Sequence, residues 1–141
     1  MKKFVFELEE ILNIRRFQQQ QAEAELGKAL AEEKKVQDRL DDLAARQVYV
    51  KNEMKGSVNF TDIANANQFY SYVRNQSESL LKELAELKLV SEQKREELKK
   101  AMQKTDSLEK LKEQQKDEYV ADQKKKEVHE IDDIVTSRVN R

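Results

Sequence analysis

The sequence predicts an all-α protein, a long two-helix antiparallel coiled-coil hairpin with a C-terminal helical overhang. Three observations predict it. Apolar residues recur at alternating steps of four and three over two long stretches. A single cluster of turn-forming residues separates those stretches, in a chain with no proline and only two glycines. The composition is that of long helices, with 39% charged and 6% aromatic residues, dominated by Ala, Glu, Lys, Leu, Gln and Arg. With 38% hydrophobic residues, such a chain fills a narrow seam rather than a wide globular core. A disordered chain of similar polarity would show no sustained period.

The first helix is expected over about residues 4–54. Its seam reads Leu8, Leu12, Arg15, Gln19, Ala22, Leu26, Ala29, Glu33, Val36, Leu40, Leu43, Gln47, Val50 and Met54. A spacing averaging 3.5 residues is that of a coiled coil. Arg15, Gln19, Glu33 and Gln47 are polar in this seam. Their stems can pack while their heads reach water; alternatively, they fix register. Gly27 stands alone in the pattern and weakens the helix by about 1 kcal/mol without ending it.

The turn is expected over about residues 55–62, Lys55-Gly56-Ser57-Val58-Asn59-Phe60-Thr61-Asp62. Ser, Asn and Asp compete for backbone hydrogen bonds and favour turns and helix starts. Thr61 or Asp62, just before Ile63, reads as the N-cap of the second helix.

The second helix is expected over about residues 63–139. Its seam runs Ile63, Ala66, Tyr70, Val73, Ser77, Leu80, Leu84, Leu87, Ser91, Lys94, Leu98, Ala101, Thr105 and Leu108. Folding at the turn sets Met54 against Ile63 and Leu8 against Leu108, with paired residue numbers that sum to 116 or 117, within one heptad. Glu33 then faces Leu84, and Arg15 faces Ala101. No layer is polar on both sides. A short turn makes the intramolecular partner far more concentrated than a second copy, so the chain is expected to be a monomer in isolation.

Beyond Leu108 the frame fails, while helix-forming composition continues. The second helix is therefore expected to overhang the first by about 30 residues, roughly 45 Å. Near its tip Val128, Ile131, Ile134, Val135 and Val139 form a new apolar stripe. It reads as a partner-binding face, against the simpler reading of a fraying helix end.

Catalysis needs convergent groups in a pocket, and a two-helix hairpin offers none. The reading is a non-enzymatic protein with no cofactor, no metal and no small-molecule substrate. Absence of cysteine removes thiol chemistry and thiolate metal sites. His129, the one histidine, has Asp132 and Asp133 at helical spacing, but ligands from one exposed helix make a weak site. The 27 basic and 28 acidic residues are interleaved, which argues against nucleic acid or an anionic membrane as the main ligand. Neither a signal h-region nor a transmembrane stretch is present in the sequence. Phe69 and Tyr72 lie off the seam at the start of the second helix, as packing under the turn or as a docking spot.

Phe4-Val5-Phe6-Glu7-Leu8, with Leu12 and Arg15-Arg16 beyond, resembles the opening of the FliJ family of flagellar export proteins. Leu108-Glu109-Lys110-Leu111-Lys112-Glu113, then Tyr119, Glu127 and Ile131-Asp132-Asp133, resembles that family's second block. Gln114-Gln115 stand where bases are common in the family, which puts any contact made by those bases in doubt. The resemblance implies a cytoplasmic component of the flagellar type III export apparatus, peripheral at the inner face of the cell membrane. It implies a coiled coil similar to the central stalk of rotary ATPases, bound to the ring of the export ATPase and promoting its assembly. The export gate protein and export chaperones are the further partners implied. By family analogy the ATPase ring would meet the coil end holding Phe4, Phe6, Leu8, Leu108, Leu111 and Tyr119, and Phe69 and Tyr72 are candidates for the gate. The alternative is a generic cytoplasmic coiled-coil scaffold or chaperone-like protein that self-associates through its C-terminal stripe.

Overall fold

The computed structural model describes residues 2–57 and 59–139; Val58, within the turn, lies outside them. Two helices account for most of these residues, α1 over Glu9–Glu53 and α2 over Phe60–Val139. The fold is the expected helical hairpin.

The bounds differ from the periodicity in two places, each for a local reason. Helix α1 begins at Glu9, not near residue 4. Residues 2–6 form neither helix nor strand, and Glu7 and Leu8 form a turn in which the Glu9 amide donates to the Phe6 carbonyl at 3.1 Å. Glu9 and Glu10 then fill the first helical turn, where negative charge is favoured by the helix dipole. At the other end, α2 begins at Phe60 rather than at 63. The cap is Asn59, whose side-chain oxygen accepts from the Thr61 amide at 2.9 Å while its carbonyl accepts from Ile63 at 3.1 Å. Thr61 and Asp62, the expected caps, are instead the first helical residues after Phe60. Gly56 carries φ +79°. A left-handed residue there lets the Ser57 amide reach back to the Met54 carbonyl at 3.1 Å, which closes the end of α1.

The contacts of the chain divide into two units. The middle unit is Ala22–Leu98. Its core is a cluster of Val36, Leu43, Val73, Leu80 and Leu84, with Leu40, Phe69 and Leu87 packed against it. These residues recur at steps of three and four on both helices, so each turn delivers one side chain to the seam. Each full burial of this kind contributes about 1.5–3 kcal/mol.

The register of this unit lies within one heptad of the expected one, shifted along α2. Glu33 accepts a hydrogen bond from Ser91 and lines one hollow with Leu84 and Lys88. Met54 shares a cleft with Ala66, Asn65 and Asp62. Ile63, expected opposite Met54, is 40% exposed, whereas Ala66 is buried. The cause is local. The first turn of α2 completes the reversal of the chain, so the last seam layer forms at Ala66 and not at Ile63.

The terminal unit comprises residues up to Gln21 together with those from Lys99 onward. Leu12 is fully buried there, and Phe6 and Thr105 are nearly so. The Thr105 hydroxyl donates to the Ala101 carbonyl one turn back at 3.1 Å, so this polar seam residue is satisfied within its own helix. Ion pairs between described residues link the helices, Lys112 to Glu9 at 2.9 Å and Arg16 to Glu109 at 3.3 Å. The seam does not end at Leu108 as expected, because Leu111, Lys112, Tyr119 and Gln123 are also half-buried.

Candidate partner-binding surfaces

Three surfaces were expected from the sequence. The first, Phe4, Phe6, Leu8, Leu108, Leu111 and Tyr119, lies within the terminal unit. The structure draws these residues inward. Phe6 is buried and the other five are half-buried. The Phe4 and Tyr119 rings meet at 5.6 Å between centroids, tilted by 48°, a favourable aromatic geometry. The Tyr119 hydroxyl donates to the Lys2 carbonyl. These side chains therefore hold residues 2–6 against α2, and they present less free apolar surface than their sequence suggests.

The second surface is the tail stripe. Val128, Ile131, Ile134, Val135 and Val139 are 53–77% exposed. Every described residue from Lys124 to Val139 is exposed, on a helix that continues without interruption. Glu127, Glu130 and Asp132 flank the stripe at helical spacing. His129, Val128 and Asp132 share one shallow hollow with Lys124 and Lys125. Among the described residues no group of histidine and carboxylate side chains is arranged to hold a metal ion.

The third surface separates on inspection. Phe69 is half-buried and packs against the middle core, with the Tyr70 and Tyr72 rings each 6.4 Å from its own. Tyr72 is exposed and borders a hollow with Arg39, Arg46 and Gln76. Of the pair, Tyr72 is available to a partner, and Phe69 supports it from beneath.

Other exposed apolar side chains were not singled out in the sequence, namely Ile14, Phe17, Val48, Tyr49 and Phe60. A signal for them existed. Each is large and apolar yet falls off the four-three frame, and in a two-helix coil such positions face solvent. The non-helical N-terminal segment also left a trace, because Phe4, Phe6 and Leu8 recur at a spacing of two rather than at the three or four of helix.

None of the described helices is long and apolar enough to cross a membrane. Comparison with curated proteins returned no significant match, and comparison with solved structures returned none. A family model described as flagellar FliJ protein matches residues 4–141. That match takes in both motif blocks, the turn and the tail, and the chain belongs to the flagellar FliJ protein family.

Proposed function

We propose that this chain acts by binding the ring of the flagellar export ATPase as a central-stalk-like element, that it promotes the ring's assembly and activity, and that it also contacts the export gate protein and export chaperones. Family membership makes it a component of the flagellar export apparatus; the lack of catalysis and the named partners go beyond that. The observation that carries the reading is the family match over residues 4–141. The structure supports it with a helical hairpin whose recognition candidates lie on side chains rather than in a pocket. The ATPase would meet the terminal unit, at Leu108, Leu111 and Tyr119. The gate protein would meet Tyr72, and the site of action would be the cytoplasmic face of the membrane, reached through partners.

The test is steady-state ATP hydrolysis by the flagellar export ATPase of the same organism, with and without the full chain. The chain should raise the rate and hydrolyse nothing alone. Removal of the residues after Thr105 should abolish the effect while the middle unit stays helical. A truncated chain that stimulates fully would sink the placement at the terminal unit, and a full chain without effect would sink the ATPase reading.

The exposed tail stripe favours one second reading, a scaffold that self-associates through Val128, Ile131 and Val135. Light scattering decides it. A stable dimer that becomes monomeric on Val135→Asp would favour the scaffold.

A further inference from the structure

Helix α1 starts at Glu9, which meets Lys112 of α2 through an ion pair of 2.9 Å. Tyr119 lies seven residues further along α2, about 10 Å beyond Lys112 at 1.5 Å per residue, and it is nonetheless half-buried. Residues 2–6 provide the cover. They run as irregular chain, place Phe4 against the Tyr119 ring and bury Phe6.

The attachment differs in kind from the rest of the fold. Among the described residues, residues 2–6 are tied to α2 by one hydrogen bond, from the Tyr119 hydroxyl to the Lys2 carbonyl, and otherwise by side-chain packing. The one described backbone bond outside the helices made by this segment is the local one from Glu9 to Phe6. Contacts of that kind open locally, without unfolding the helices behind them. The turn at Glu7 and Leu8 supplies the pivot. Opening would expose both phenylalanines together with Tyr119, next to Val120, which is already exposed. The closed form hides that apolar face.

We propose that residues 2–8 form a releasable strap, and that the α2 face around Tyr119 binds its partner only when the strap is open. The strap is an autoinhibitory contact of the terminal unit. The identity of the partner rests on the ATPase reading above; the strap rests on this geometry. A partner that needs the open form binds with an apparent affinity reduced by the fraction of chains that are open. Loosening the strap therefore tightens binding, although it removes two aromatic side chains from the same end.

The experiment compares the full chain with Phe4→Ala/Phe6→Ala in two measurements. Hydroxyl-radical footprinting reads the accessibility of Tyr119, and titration against the purified flagellar export ATPase at fixed ionic strength reads affinity. The expected result is loss of Tyr119 protection with tighter binding, about tenfold if the wild-type strap is open a tenth of the time. Unchanged protection overturns the strap. Lost protection with equal or weaker binding overturns its gating role, since the phenylalanines would then be neutral or contact residues. Failure of both chains to bind removes the ATPase reading and the gating built on it, while footprinting still decides the strap. Tyr119→Phe removes only the hydroxyl that holds Lys2. It should tighten binding by less and lower the protection of Phe4, which packs on the same ring, and it keeps the test open if the double variant misfolds.

Discussion

The middle and terminal units are built from the same helices by different means. In the middle unit, Val36, Leu43, Val73, Leu80 and Leu84 pack along a regular seam. The ion pairs of Lys28, Lys35, Arg46, Lys94 and Arg95 there join residues three or four apart on one helix. In the terminal unit, Glu9 to Lys112 and Arg16 to Glu109 cross between helices, and a non-helical segment replaces the partner helix over Tyr119. The middle unit is a regular seam of many similar contacts. The terminal unit is a closure made of a few unlike contacts, and a surface that must change its cover during binding belongs in a closure.

The largest expected effect separates the two kinds of packing. Leu12 is 0% exposed and sits on helix, whereas Phe6 is 4% exposed and sits in the non-helical N-terminal segment. Leu12→Ala should lower global stability by about 2–5 kcal/mol in urea denaturation. Phe6→Ala removes more volume, yet it should change global stability by under about 1 kcal/mol, because the segment opens locally before the helices unfold. Equal losses for the two variants would show that the segment is an integral part of the cooperative fold.

How much of this was legible in the sequence follows from the same contrast. Every seam position read from the four-three alternation is buried or half-buried except Ile63. Regular packing repeats its instruction at each turn, so one irregular residue does not obscure it. Register was less legible. The alternation fits α2 equally well at each heptad, and the turn geometry at Gly56 and Asn59 decides among the fits. The closure was least legible. Phe4 and Phe6 continue a helical phase poorly and an extended phase well, but three residues are too short a run to establish a period. Their burial against α2 depends on Tyr119, more than a hundred residues away in sequence. The candidate binding residues were thus found as a set, while the fact that they cover one another was not.

The polar contact inside the regular seam gives a smaller effect. Ser91 is buried and donates to Glu33, and its oxygen also lies 3.1 Å from the Lys88 carbonyl. Ser91→Ala should cost about 0.5–1.5 kcal/mol, because Glu33 loses its partner in a half-buried position. Glu33→Met with Ser91→Ala should be nearly neutral, since both polar groups leave together and are replaced by apolar groups of similar shape. If this pair fixes the displaced register, the double variant should also show heterogeneous helix pairing, measurable by cysteine crosslinking at introduced sites. A single crosslink pattern would assign the register to the turn alone.

Gly27 offers a change of similar size and opposite sign. It is exposed within α1, and a Cβ built on it meets nothing within 4 Å. Gly27→Ala should therefore raise the stability of the middle unit by about 1 kcal/mol through helix propensity and a less disordered unfolded chain. Thermal denaturation checks it. A loss of stability would mean that a kink or close approach at Gly27 matters in a way that open space around it does not suggest.

The smallest effect tests whether the cross-helix charges hold the terminal closure or only accompany it. Arg16 and Glu109 are 44% and 45% exposed at 3.3 Å. Pairs this exposed are screened by water and salt and contribute about 0.2–1 kcal/mol. A double-mutant cycle of Arg16→Ala and Glu109→Ala should give a coupling in that range that fades as salt is raised. Loss of the pair should leave Tyr119 as protected as before, because aromatic packing and the Lys2 carbonyl hold the strap. If Tyr119 becomes accessible in either single variant, the charges reach further than their exposure implies, and the closure is electrostatic rather than apolar.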